Sequence, residues 1–119
     1  MSADATARDA AGFELATGRF YFGVEYEGKR HRDFVIRLPT LADNIAAAQA
    51  YPDGIGFQLE LFMYARCMEK LGDIPKEAIT YELLANGLLP IEAEVVADAL
   101  EVVKKKLLAS LNALTPSDK

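Results

Sequence analysis

From Phe20 the chain alternates. Phe20, Phe22, Val24 and Tyr26 share one face of an extended segment, and Phe34, Ile36 and Leu38 share one face of a second, with Glu27-Gly28 between them as a turn signal. The pattern predicts a β-hairpin beginning near Arg19. A two-residue loop sets Phe22 opposite Asp33. A three-residue loop over Glu27 to Lys29 sets Phe22 opposite Phe34 and Phe20 opposite Ile36. Because a one-residue slip reverses which face is buried, the apolar matching selects the longer loop. The other face then carries Glu25 against His31. Pro39, which has no N–H to donate, ends the second strand.

Beyond Pro39 the spacing becomes helical. Thr40 with Asp43 three residues on has the form of a capping box with the shorter acid, and predicts a helix to about Tyr51. Pro52-Asp53-Gly54 breaks it, and Asp53 is positioned to cap a second helix, Ile55 to Leu71, terminated by Gly72. After a connection over 73–78, Thr80, Leu83 and Leu84 predict a short helix to about Ala85, ended near Gly87. The last helix starts at Pro90 or Ile91, has Glu92 and Glu94 in its first turn, and runs to about Ala113. The expected fold is α+β and helix-dominated: an N-terminal β-hairpin packed on a bundle of about four α-helices. Residues 1–18 are expected to be a mobile tail, in which Phe13 and Leu15 can add a short edge strand, 19–113 a single domain, and 114–119, with Pro116, a frayed end.

At 100° per residue the helices differ in kind. Ile91, Val95, Val96, Ala99, Leu100, Val102, Val103, Leu107 and Leu111 cover one broad side of the last helix, and Asp98, Glu101, Lys104 and Lys105 the other. The second helix carries two apolar faces. Phe57, Leu61, Tyr64, Met68 and Leu71 form one; Ile55, Leu59, Phe62 and Met63 form the other, with Arg66 and Lys70 beside it as a basic rim. Two readings stand: a central helix sandwiched between hairpin and last helix, or a partner-binding surface made of Ile55, Leu59, Phe62, Met63, Arg66 and Lys70.

Composition narrows the partners. A chain of 119 residues forms one domain that buries roughly two-thirds of its unfolded surface, without metal or disulfide staples. The net charge of −5 and pI near 4.8 argue against nucleic-acid binding, which needs a basic surface. The start, MSADATARDA, has no basic or apolar leader pattern, and no apolar run approaches the roughly 18 residues of a membrane span. A cytoplasmic protein is expected, with no membrane partner. Cys67, the one cysteine, lies in an apolar helical run and reads as a buried, inert thiol.

Candidate chemistry is sparse. His31, among Lys29, Arg30, Arg32 and Asp33, reads as a solvated hairpin rim with no nucleophile to serve. The sequence has no zinc-type His/Cys cluster, EF-hand, GxxxxGK[ST] or GxSxG, and Gly54-Ile55-Gly56 lacks the strand and third glycine of a dinucleotide fingerprint. No catalytic, cofactor-binding or metal-ligating residue is assigned, and the chain is expected not to be an enzyme.

The order of pieces resembles that of a known family, the small tail assembly chaperones of long-tailed bacteriophages, in particular the Mu-like branch. The resemblance lies in EGKRHRDFVIRLPTLADNIAA (27–47) and in ARCMEKLGDIPKEAITYELLANGLLPIEAEVVADAL (65–100), and spans roughly residues 20–110. The chain departs from the family in opening its last helix on Leu88-Leu89-Pro90-Ile91-Glu92 rather than on an Asp-rich cap, and in a longer N-terminal tail. The resemblance implies a protein of the bacterial host cytoplasm, encoded by a phage or prophage. Such a protein binds the long helical tape measure protein during tail assembly and keeps it soluble. It also implies a longer frameshifted product, for which the codons of Lys104 to Lys106 are a candidate slippery site; a homo-oligomer stands among the expected partners from the second apolar face of the Ile55 to Leu71 helix, which can meet a copy of the chain. Two alternatives stand beside it: a generic small acidic interaction module or secretion-type chaperone acting through an apolar helix face, and a small enzyme using His31 with Glu25 or Asp33.

Overall fold

The computed structural model describes residues 8–114. It is α+β: strands β1 (Ala16–Tyr26), β2 (Lys29–Ile36) and β3 (Met68–Leu71) form one antiparallel sheet in the order β1-β2-β3, with helices α1 (Leu41–Ala50), α2 (Gly56–Cys67), α3 (Tyr81–Gly87) and α4 (Pro90–Leu114). A 3-10 turn, Lys76–Ala78, precedes α3. The core joins the sheet to the helices through Phe20, Val24, Phe34, Ile36, Met68, Leu71, Leu84 and Val96, all essentially inaccessible to solvent.

The hairpin departs from the expected register. Tyr26 pairs with Lys29 across a two-residue turn in which Glu27 and Gly28 both have positive φ (50° and 80°), the handedness that matches the twist of the flanking strands. His31 therefore faces Val24, and Glu25 faces Arg30. The longer loop matches Phe22 with Phe34 and Phe20 with Ile36, but the chain adopts neither pair and keeps Phe22 off Asp33 by another device. Between Arg19↔Asp33 and Val24↔His31, β1 places the four residues Phe20 to Gly23 opposite Arg32 alone. Phe20 turns inward onto Phe34, ring centroids 4.6 Å apart, while Phe22 is 53% exposed and lies outside the expected apolar face. Beyond the bulge Gly18 pairs with Phe34 and Ala16 with Ile36.

The bulge needs partners for its unpaired N–H groups. Glu92, in the first turn of α4 and wholly buried, supplies them: Oε1 accepts from Tyr21 N–H (2.8 Å), and Oε2 from Phe22 (3.0 Å) and Gly23 (3.1 Å). Position at a helix N-terminus and three charge-assisted hydrogen bonds are what let a carboxylate stand in a protein interior. Gly23, at φ 80°, lies against the His31 carbonyl where a Cβ would collide.

The second strand pairing was not expected. Met68 and Leu71, three apart, continue the helical spacing of α2, yet both are buried strand residues: Met68 pairs with Ile36 and Leu71 with Phe34, around an irregularity between Val35 and Ile36. That irregularity turns two residues of odd separation to the same side, so the strand mimics a helical period. The helix stops at Cys67, and Lys70 is an exposed strand residue opposite Val35.

The predicted starts of α1, α3 and α4 agree with the structure. Asp43, wholly buried, accepts from the Thr40 N–H (2.7 Å) and hydroxyl (3.2 Å). Asp53 does not cap α2; its first turn opens at Ile55, whose N–H donates to Gln58 Oε1 (3.1 Å). At the N-terminus order begins before residue 19. Ala16 is buried in β1, and Asp9 Oδ1 accepts from Ala11 and Phe13 in a tight turn. The expected tails over 1–7 and 115–119, Pro116 included, lie outside the described residues.

A candidate interaction surface

The residues proposed from the sequence do not form one open face. Phe62 packs edge-on against Tyr51 at the end of α1 (5.8 Å), and α1 lies along α2, so Leu59, Phe62 and Met63 are each partly covered. Only Ile55, at the start of α2, is broadly exposed. Arg66 is committed elsewhere: its Nε donates to Asp43 Oδ1 (3.0 Å), while Arg37 grips the same carboxylate with two nitrogens (2.8 and 2.9 Å). The two guanidiniums hold the Asp43 carboxyl far below the usual carboxylate range, the Arg37 contact being the largest cause. With Lys70 on β3, neither basic residue borders a patch on α2.

The open surface lies on the face of α2 assigned from sequence to the core. There α2 packs chiefly on α1 and α3, whereas α4 packs on β1, and the space between α2 and α4 is left as a trough. Its first part, a cavity of about 540 Å³, is lined by Phe57, Leu61, Tyr64, Leu84, Leu88 and Ala93 among others. A second cavity of about 570 Å³ continues it past Leu38, Met63, Ala97 and Leu100 to Leu107. The two share Glu60 and Tyr64, so together they follow α4 from Pro90 to Leu107, about 26 Å at 1.5 Å per residue. Phe57, 73% exposed, and Leu89, half exposed, stand at the mouth.

The polar side chains of the trough are Gln58, Glu60, Tyr64 and Tyr81 in the first cavity, and Thr40, Glu101 and Lys104 beside the shared Glu60 and Tyr64 in the second. Glu60 Oε2 accepts from the Tyr64 hydroxyl (2.7 Å), and burial beside this carboxylate pushes the phenol pKa up. No lysine or arginine lines the first cavity; Lys104 in the second pairs with Glu101 (3.4 Å). The chemistry of the trough is that of side-chain burial with selection by charge at its edge.

The groups considered for catalysis are placed differently from expectation. His31 is buried rather than solvated: its Nδ1 accepts the Asp73 N–H (3.1 Å), and Gly72, at φ 54°, packs against the ring. Asp33 is gripped by Arg19 (2.7 and 3.3 Å), and Glu25 pairs with Arg30 (3.5 Å). Cys67 is inaccessible, and burial pushes its thiol up to about 12. Among the described residues no group of three or more His, Cys, Asp or Glu side chains is placed to hold a metal ion, and no helix is long and apolar enough to cross a membrane.

The sequence signal for the trough was present in Phe57, Leu61 and Tyr64 at helical spacing. It was read as core because periodicity reports an apolar face and not what covers it. No protein-family model matches the chain, and searches of curated proteins and of solved structures return no match.

Proposed function

We propose that the protein is a non-enzymatic tail assembly chaperone of a long-tailed bacteriophage of the Mu-like type. In the host cytoplasm it holds an apolar-striped helix of the tape measure protein in the α2–α4 trough until the tail takes it up. The observation that carries this reading is the trough itself: two adjoining, mainly apolar cavities, meeting at Glu60 and Tyr64, that together follow α4 for about 26 Å, the length of a five-turn helix, with Phe57 and Leu89 exposed at the mouth. The resemblance of residues 27–47 and 65–100 to that family supplies the identity of the client. Covering the stripe of a long helix removes apolar area from water, at about 25 cal/mol per Å², and so suppresses aggregation of the uncovered client.

The test is co-expression with the tape measure protein encoded beside the chain's own gene, reading the soluble fraction of that protein. Expected is a several-fold rise that Phe57→Asp removes while the melting temperature of the chaperone holds, because Phe57 is largely exposed in the free chain. An unchanged soluble fraction refutes the reading. Equal rescue of unrelated amphipathic helices would instead mark a general helix-binding module.

A further inference from the structure

α4 carries on the trough beyond the body of the domain. Its inner face, Val96, Leu100 and Val103, is buried, and Ala93, Ala97 and Lys104 on the adjoining side face the trough. At 100° per residue Leu111 falls in line with Ala93 and Leu100, and Leu108 in line with Pro90. Leu108 and Leu111 are both about half exposed, and neither lines either cavity. Among the described residues nothing covers the trough-side stripe at Leu108 and Leu111.

Charge is divided along the same helix. Glu94, Asp98 and Glu101 precede Lys104, Lys105 and Lys106, and no acidic residue follows within α4. The helix dipole does not account for the lysines, because they stand at least eight residues before Leu114 and the last turn holds no basic residue. Lys104 and Lys106 have intrachain partners, Glu101 (3.4 Å) and Glu14 (3.2 Å). Lys105, Glu94 and Glu60 have no ion-pair partner among the described residues.

The geometry points to a second copy of this chain as an occupant of the trough: two α4 helices lie antiparallel about a twofold axis, the Lys104–Leu111 segment of each seated between α2 and α4 of the other. Both surfaces of the contact are then present in one sequence, as an isologous interface requires. Leu107, Leu108 and Leu111 of one copy meet Leu61, Leu84 and Leu88 of its partner, and the antiparallel sense sets each basic segment beside the acidic half of the opposite α4 and Glu60. A client helix competes for the same trough, so the dimer is a closed form that the client must open. The inference does not rest on the identity of that client, because both contacting faces belong to this chain.

Sedimentation equilibrium of the full chain tests it without any client. A monomer–dimer equilibrium is expected, weakened about tenfold or more by high salt. Lys105→Glu and Glu94→Lys should each raise the dissociation constant about tenfold, which is about 1.4 kcal/mol, and the two combined should restore it. Leu111→Asp should abolish the dimer with an unchanged melting temperature, since the position is open in a single copy. A chain that sediments as a monomer at the highest soluble concentration overturns the inference. So does a dimer that ignores both Leu111→Asp and the charge exchange.

Discussion

Glu92→Gln tests the hairpin as the structure describes it. The carboxylate uses both oxygens on three backbone N–H groups, and an amide keeps one acceptor oxygen and turns its NH2 toward donors. Hydrogen bonds to a charged group contribute about 1.5–3 kcal/mol each, and a buried donor left alone costs about 1–3. With its oxygen in the Oε2 position the amide keeps the Phe22 and Gly23 bonds, now without the charge, and sets its NH2 against the Tyr21 N–H; the opposite flip keeps Tyr21 and strands both Phe22 and the buried Gly23. The sum is about 3–5 kcal/mol, a large share of the roughly 5–15 that hold a domain together. Urea unfolding gives the difference directly, and a thermal midpoint lower by on the order of 10–20 °C should accompany it. Amide exchange at Gly23 gives the local reading: protection there should fall before protection in β2 does. A variant within about 1 kcal/mol of the wild type, with Gly23 still protected, would refute the argument that this carboxylate holds the bulge.

Asp43→Asn should cost about 2–4 kcal/mol at neutral pH, somewhat less than for a fully buried pair because Arg66 reaches solvent. The Asp43 carboxyl is depressed in the folded state, so its stabilisation is complete above its unfolded pKa of about 3.9 and is lost as pH falls toward the folded value. Urea titrations should therefore show a constant gap between wild type and variant from pH 5 to 8 that narrows below about pH 4. Glu27→Asn should stabilise by about 0.5–1 kcal/mol, since asparagine tolerates the positive φ at lower cost; an equal or lower melting temperature would count against the two-residue turn. Phe34→Asp should unfold the domain, whereas Phe22→Asp should change stability by less than about 1 kcal/mol in a thermal melt, inverting the order implied by the longer loop. Native Cys67 should resist thiol reagents at neutral pH and react only after unfolding, for it is both inaccessible and shifted up to about 12.

What the sequence made legible were local instructions. Thr40-x-x-Asp43, Thr80, Pro90 and the glycines act within a few residues of themselves, and the three helices they start stand where expected. The misreadings share a cause: each depended on a residue distant in sequence. The register of the hairpin turns on a bulge whose donors are satisfied by Glu92, some 70 positions away, so matching apolar residues across a regular ladder could not find it. β3 exists because β2 offers it an edge, and its buried pair at helical spacing disguised it. Which apolar face of α2 stays open was illegible for a related reason: both faces read correctly as apolar, but which one α1 covers is a matter of tertiary packing. Arg66 was assigned to a rim from the helical wheel, and only the folded chain brings Asp43 beneath it.

The direct passage from Cys67 to Met68 makes the trough mechanically lopsided. One wall, α2, runs into a sheet strand without a linker and is pinned again near its end where Arg66 meets Asp43, so it moves only if the sheet moves. The other wall is a 25-residue rod fastened near its start by Glu92, along its buried side by Val96, Leu100 and Val103, and at Lys106 by Glu14, so that only its last two turns lack such an attachment among the described residues. Compliance is concentrated past Lys106: those last turns can bend away from the body, whereas the stretch of α4 that lines the trough is held to the sheet beneath it. Such a pair of walls presents a gap of set width along the trough and a yielding edge only beyond Leu107.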